Sequence, residues 1–323
     1  NAITEKLGLS TDPVSVYIRG LNSPRSQATQ LSVIRKVIKS LGFNAGSRED
    51  YIQLPWSEIL DKTVVEAFIA LANNQGYSKS YQNNMLAAFR GMAKEAEEYE
   101  YIGSKQARSL QRIKYKTIEP IIGRPIVTPE DIRDLVGHCI NLEGAAAIRD
   151  ATIIAMAFGT GLRVSELASL TLEDFDNDYR DLKYIGKGNV TSSKPVAESA
   201  RDILKLWLSV RETDDRLPST KGPLFIHIDR HGKFHPLDQN LNLKGISAVA
   251  IYQSVIRRST EFSPQALRPH DFRRGVITWL LDVGNDPSKV AIWSGHKSVK
   301  TLIENYDLNI TKRKRELADQ IVF

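Results

Sequence analysis

The sequence is poor in anything that would staple, anchor or export it. One cysteine, Cys139, stands among 323 residues, so no internal disulfide is possible and a reducing, cytoplasmic compartment is expected. No apolar run approaches the ~20 residues a membrane span needs, and no charged-then-apolar leader opens the chain. Neither a membrane partner nor secretion is therefore expected. Internal repeats and low-complexity tracts are also missing, which excludes a solenoid. The chain opens at Asn1 rather than methionine, so a short missing N-terminus is expected. What is present is ordinary globular material, 41% hydrophobic and 25% charged. That suffices for one large core or two smaller ones, and the length favours two domains.

The net charge is +6, a mild excess that fits a polyanionic partner. Its distribution is more informative: residues 1–127 hold 17 Lys and Arg against 12 Asp and Glu. The local peak contains Lys105, Arg108, Arg112, Lys114 and Lys116, with no acid until Glu119. Arg108, Arg112 and Lys116 recur every four residues, so a helix would align them on one face. Solvated basic faces usually carry interspersed acids. This one does not, and phosphate contact is the expectation.

The first ~125 residues read as helices with loops between them. Leu31, Ile34, Val37, Ile38 and Leu41 keep a helical period that stops near Gly42. Val64 to Ala72 forms a second stripe, entered from Asp61 or Thr63. Ser78 opens a third, carrying Met85, Leu86, Phe89 and Met92. Residues 117–127 hold two prolines and a glycine without a usable period and read as a linker. Thr128, Pro129 and Asp131 then start a helix, as N-cap, first-turn proline and favourable dipole charge. Beyond it the pattern is mixed. A helix covers Arg149 to Phe158 and another Val164 to Leu170. Leu182 to Val196 reads as a hairpin and Leu224 to Ile228 as a strand. Helices follow from Asp271, interrupted at Gly284 and Gly295.

Four short segments carry chemistry. They are Thr160-Gly-Leu-Arg163-Val-Ser-Glu166-Leu167, Gly186-Lys187-Gly188-Asn189 at the hairpin tip, His270-Asp-Phe-Arg273, and Gly295-His296 followed ten residues later by Tyr306. Together they supply two arginines, a lysine, two histidines and a tyrosine, a set suited to attack on a phosphodiester without a metal. Guanidiniums hold non-bridging oxygens and neutralise growing charge. A lysine or histidine protonates the leaving 5′-oxygen, and a second histidine accepts the phenol proton. Tyrosine is a covalent nucleophile whose phosphate ester conserves the bond energy, so rejoining needs no ATP. His227, His231 and His235 also recur every four residues. Gly232 and Pro236 disfavour a single helix there, so a loop near DNA is expected rather than a metal site.

These motifs, in this order and at these spacings, resemble the tyrosine recombinases, or phage-type integrases, which share a catalytic domain with type IB topoisomerases. The motif resemblance covers residues ~128–310; the N-terminal part resembles the family in architecture alone. It implies a two-domain fold, an all-α N-terminal core-binding (SAM-like) domain plus a mixed α+β catalytic domain, closing as a C-shaped clamp on DNA. The expected limits are 1–116 for the helical domain, 117–127 for the linker and 128–310 for the catalytic domain. The tail 311–323 is expected to dock on a neighbouring protomer.

The resemblance makes Tyr306 the nucleophile, joined to a 3′-phosphate. Arg163 and Arg273 become the phosphate clamp, Lys187 the general acid, His270 the proton acceptor and His296 a further phosphate donor. Glu166 holds active-site groups in place. The implied partners are double-stranded recombination sites, a homo-tetramer on two of them and accessory DNA-bending proteins; no cofactor is implied. The tyrosine usually follows the histidine by nine positions in the family, whereas here the gap is ten, and one extra residue has to be absorbed. A relaxing enzyme of the topoisomerase type and an inactive DNA-binding protein of the same fold are the alternatives.

Overall fold

The computed structural model describes residues 11–117, 126–186, 190–296, 298–306 and, in the tail, Arg315, Ala318 and Asp319. The chain divides into two compact units, Asn1–Pro120 and Ile121–Phe323, each with its own hydrophobic core.

The regular elements described in the first unit are all helices: α1 (Pro13–Arg19), α2 (Pro24–Ser40), α3 (Arg48–Ile52), α4 (Trp56–Ile59), α5 (Lys62–Asn74), α6 (Lys79–Glu98) and α7 (Ser104–Gln111). The helices begin where short polar side chains satisfy their first amides. Ser23 accepts from Ser26 N at 3.1 Å, Asp61 from Thr63 N at 2.8 Å and Ser78 from Tyr81 N at 3.2 Å. The expected stripes face inward. Val33, Ile34, Val37 and Ile38 of α2 and Met85, Leu86, Phe89 and Met92 of α6 are all buried. Trp56 and Leu60 fill the space beside them.

The basic segment departs from its expected helix face. Helix α7 carries Lys105 and Arg108 and ends at Gln111, with Arg112 as C-cap. Arg90 of α6 reaches across and donates to the carbonyls of Leu110, Gln111 and Ile113, and its guanidinium lies 4.5 Å from the centre of the Tyr115 ring. The last carbonyls of a helix have no amide of the next turn to accept from, and Arg90 satisfies them. Lys114 and Lys116 follow outside any helix. The Lys116 amide donates to Asn83 Oδ1 at 2.8 Å, and its Nζ lies 3.2 Å from Asn73 Oδ1.

The second unit contains α8 (Pro129–Ile140), α9 (Ala145–Thr160), α10 (Val164–Ser169), the hairpin β1 (Asp181–Gly186) and β2 (Val190–Pro195), and α11 (Glu198–Arg211). The small hairpin β3 (His227–Ile228) and β4 (Phe234–His235) follows, then α12 (Ala248–Phe262), α13 (Pro269–Asp282), α14 (Pro287–Ser294) and α15 (Val299–Tyr306). Thr128 and Asp131 form a reciprocal capping box at α8. Helix α9 is apolar on all sides because it runs through the middle, packed by α8, α11, α12 and α13. Its one acid, Asp150, is buried and collects three arginines: Arg149 at 2.7 Å, Arg257 at 2.8 Å and Arg258 at 3.0 Å.

Strands β1 and β2 pair antiparallel from Asp181↔Pro195 to Gly186↔Val190. The strand expected over Leu224–Ile228 is shorter than its apolar run. Only His227 and Ile228 pair, with His235 and Phe234, because Leu224 and Ile226 bond instead to single residues of neighbouring loops. No helix among the described residues is long and apolar enough to cross a membrane.

Candidate active site

The site is assembled where the C-terminus of α9, the N-terminus of α10, the N-terminus of α13, the end of α14 and the end of α15 converge. Helix α9 stops at Gly161, whose φ of +62° is a left-handed conformation that side chains rarely adopt. A Cβ there would also lie 3.0 Å from the Trp293 ring. This turn aims Arg163 outward at the start of α10, its side chain about 39% exposed. Glu166, buried beneath it, accepts from Arg163 Nη1 and from the Arg163 amide, both at 2.8 Å. Glu166 therefore fixes both the backbone and the guanidinium of Arg163.

Arg273, one turn into α13, is 1% exposed. Its guanidinium donates to the carbonyls of Gly161 and Ser294, joining the arginine turn to the end of α14. Burial, and then the nearby Arg163 charge, make its protonated form costlier than usual, while the Tyr306 phenol beside it acts the other way. His270 opens α13 on the same side. Partial desolvation and then the Arg273 charge hold it below the ordinary imidazole value.

His296 follows the left-handed C-cap Gly295 of α14, with Nδ1 2.6 Å from the Ser294 hydroxyl. Desolvation, reinforced by Arg273, Arg163 and Lys194, pushes it down to about 4. Tyr306 closes the cluster. It ends α15, is 8% exposed, and its carbonyl accepts from Thr278 Oγ1 at 2.7 Å. Its ring centre lies 4.9 Å from that of His296 in a T-shaped contact and 6.2 Å from that of His270. The ten-residue gap is thus compatible with a tyrosine tucked against both histidines and the buried arginine.

Arg163, Glu166, His270, Arg273, His296 and Tyr306 are therefore brought together. Lys187 lies outside the described residues. The structure also reveals a lysine that motif reading passes over, Lys194 near the end of β2. It is 3% exposed, and its Nζ donates to the Thr160 carbonyl at 2.9 Å. A Ser-Lys-Pro tripeptide carries no motif signal; the alternation of β2, which turns Lys194 inward, is the one clue.

The site's charge is cationic: Arg163, Arg273 and Lys194 face one carboxylate, Glu166, already held by Arg163. Such a cluster suits a phosphate diester. The three spaced histidines lie apart in role. His227 and His235 face each other across β3 and β4, with His235 bonded to Asp229 at 2.9 Å, and His231 sits in the turn beside Arg230.

The phage integrase family model matches residues 125–312. The tyrosine recombinase XerC of Corynebacterium glutamicum is 26% identical over 237 residues, 72% of this chain and 70% of that protein. XerC of Mycobacterium leprae is 26% identical over 313 residues, 92% of this chain and 93% of that protein. The fold is similar to that of the Tn1549 transposon integrase in complex with a circular intermediate DNA, with a TM-score of 0.63 at 15% identity over 97% of this chain and 100% of that one. It is also similar to the XerH site-specific recombinase bound to a palindromic difH substrate, with a TM-score of 0.58 at 18% identity over 80% of this chain and 72% of that one.

Proposed function

The chain belongs to the phage integrase family and is a tyrosine site-specific recombinase, and we propose that Tyr306 is the residue through which it cuts and rejoins DNA. The observation that carries this is the seat of Tyr306 at the end of α15, against His296 and His270 and beside the buried Arg273. In the proposed step Tyr306 Oη attacks the scissile phosphorus. The bond from phosphorus to the 5′-oxygen breaks, leaving a 3′-phosphotyrosine and a free 5′-hydroxyl. Arg163 and Arg273 hold the non-bridging oxygens as charge builds on them.

His270 accepts the phenol proton. Its lowered affinity for protons keeps its lone pair free at neutral pH. Lys187 donates a proton to the departing 5′-oxygen. His296, also neutral, donates to the phosphate through Nε2–H in the tautomer in which the Ser294 hydroxyl turns from the Val290 carbonyl, 2.6 Å away, to donate to its Nδ1. Glu166 keeps Arg163 in place. Attack by a 5′-hydroxyl from another strand reverses the step and releases Tyr306. The balance closes without a metal, a cofactor or ATP.

The wider reading follows the same chemistry. The helical unit and the catalytic unit form a C-shaped clamp on duplex DNA, with the limits 1–116, 117–127 and 128–310. Lys105, Arg108, Arg112, Lys114 and Lys116 touch phosphates. The first four are exposed, and none of the five is paired with a carboxylate among the described residues. Four protomers synapse two sites and exchange strands through a Holliday junction, assisted by DNA-bending proteins, in the cytoplasm and on the nucleoid. The tail 311–323 docks on the neighbouring protomer. An apolar groove of about 680 Å³ between α8, α9, α11 and α13, lined by Ile132, Phe158, Trp279 and Trp293, supports an acceptor for its Leu317, Ile321 and Val322.

The test is covalent trapping in the presence of EDTA. DNA flanking the native gene, nicked beside each candidate position so that the cut fragment diffuses away, is offered to the wild type and to Tyr306→Phe. A denaturing gel is expected to show a protein–DNA adduct with the wild type alone. An adduct from both proteins would move the chemistry to another residue.

A further inference from the structure

Lys194 is an expensive residue to bury. Its side chain on β2 is 3% exposed, and its Nζ makes one hydrogen bond, to the Thr160 carbonyl at 2.9 Å, with the Trp293 ring centre 4.5 Å away. An apolar side chain of similar length would fill the same space without the cost of desolvating an ammonium. Two further contacts show what the charge is placed against. The carbonyl it holds belongs to the residue before Gly161, and Arg273 of α13 holds the Gly161 carbonyl itself. Trp293 of α14 packs on Gly161 as well as under the lysine. Arg163 leaves this turn two residues later.

The turn is thus gripped by consecutive cations from two different elements. One of those elements is the hairpin whose connecting residues include Lys187. Lys194 pairs in register with Leu182 of β1, seven positions after Lys187 in the chain.

We infer that Lys194 is a positioning residue of the phosphate site. It bolts the β1–β2 hairpin to the arginine turn and places a third positive charge behind Arg163 and Arg273. The inference rests on the recombinase reading above and goes beyond it, since none of the four motifs includes this position.

The groups facing Lys194 are Arg273 from α13, Arg163 and Glu166 from α10, and His296 after α14. Burial comes first and the Arg273 charge second in pushing the lysine down to about 7. The ammonium is therefore poised to lose its proton near neutrality in the free protein. Electrostatic attraction from a bound phosphate diester would favour keeping it.

The experiment compares wild type, Lys194→Met and Lys194→Arg. It measures single-turnover adduct formation on the nicked DNA that the wild type cleaves, DNA affinity by titration, and thermal unfolding, each against pH. Lys194→Met is expected to form adduct about 10- to 100-fold more slowly, the scale of a misplaced reacting group. Its affinity for the same DNA should stay within about twofold, since the phosphate-contacting side chains are intact. It should melt at the same temperature or higher. The wild-type rate should fall as the lysine loses its proton above neutrality, and Lys194→Arg, charged at every pH tested, should recover part of the rate without that fall.

A third readout needs no DNA. Because the folded lysine binds its proton less tightly than the unfolded one, wild-type stability should rise with pH between about 7 and the ordinary value of 10.5, and Lys194→Met should flatten that rise. Wild-type rate and pH profile in Lys194→Met would overturn the inference. So would a rate reduced only in proportion to folded protein. No adduct from the wild type itself would sink the recombinase reading and this role with it, whereas adduct from the wild type with an unaffected Lys194→Met would sink this role alone.

Discussion

At the scale of residues, the site brings together charges that repel one another, and backbone carbonyls hold them as well as the Glu166 carboxylate. Arg273 is the clearest case: it is buried, its guanidinium donates to the Gly161 and Ser294 carbonyls, and no acid is ion-paired with it among the described residues. Its field is available to a phosphate in a place with little water to screen it. Arg273→Lys keeps one charge but loses the fork that spans the two carbonyls. It is expected to lower the rate of adduct formation about 100- to 1,000-fold, the scale seen when a donor to a developing oxyanion is removed. DNA affinity should change little, and gel shifts run beside the cleavage assay check the separation. Residue identity is also the most legible feature of the sequence. Arg163, His270, Arg273, His296 and Tyr306 all sit in short motifs, and they meet in one place. Lys194 is illegible because its significance lies in what it faces across the chain, Thr160, 34 positions away.

At the scale of elements, caps and apolar periods are legible and terminations less so. Ser78, Asp61 and Thr128 each start a helix, because an N-cap is a local interaction among residues three apart or fewer. The end of α7 is hidden from the sequence, because the group that satisfies its last carbonyls is Arg90, about 20 positions upstream. The expected Leu224–Ile228 strand is overlong for a similar reason: an apolar run records burial, while a strand needs a paired neighbour.

Helix α9 gives the element-scale prediction. Asp150 balances Arg149, Arg257 and Arg258 inside the second unit. Asp150→Ala leaves guanidiniums clustered without their acid, two of them largely buried. It is expected to cost about 3–5 kcal/mol, read as a lowered midpoint in urea unfolding. A loss below about 1 kcal/mol would mean that the arginines find water instead.

At the scale of the whole molecule, the chain has two units with separate cores, and the proposed clamp asks each to present charge to DNA. The excess of the first unit lies in Lys105, Arg108, Arg112 and Lys114, all exposed. Binding that depends on them follows counterion release. Replacing Arg108 and Arg112 by Gln should reduce the slope of log affinity against log salt by about 0.9 for each phosphate no longer neutralised. The adduct rate at saturating protein should hardly change. Equal slopes for wild type and double variant would remove these arginines from the interface.

The central claim is that Tyr306 carries the DNA. It is tested most directly by digesting the wild-type protein–DNA adduct with protease and nuclease and locating the nucleotide-bearing residue by mass spectrometry. The account predicts a single modified peptide, with the phosphate on Tyr306 and the DNA attached through its 3′ end. A nucleotide on any other residue, or attachment through a 5′ end, would contradict it.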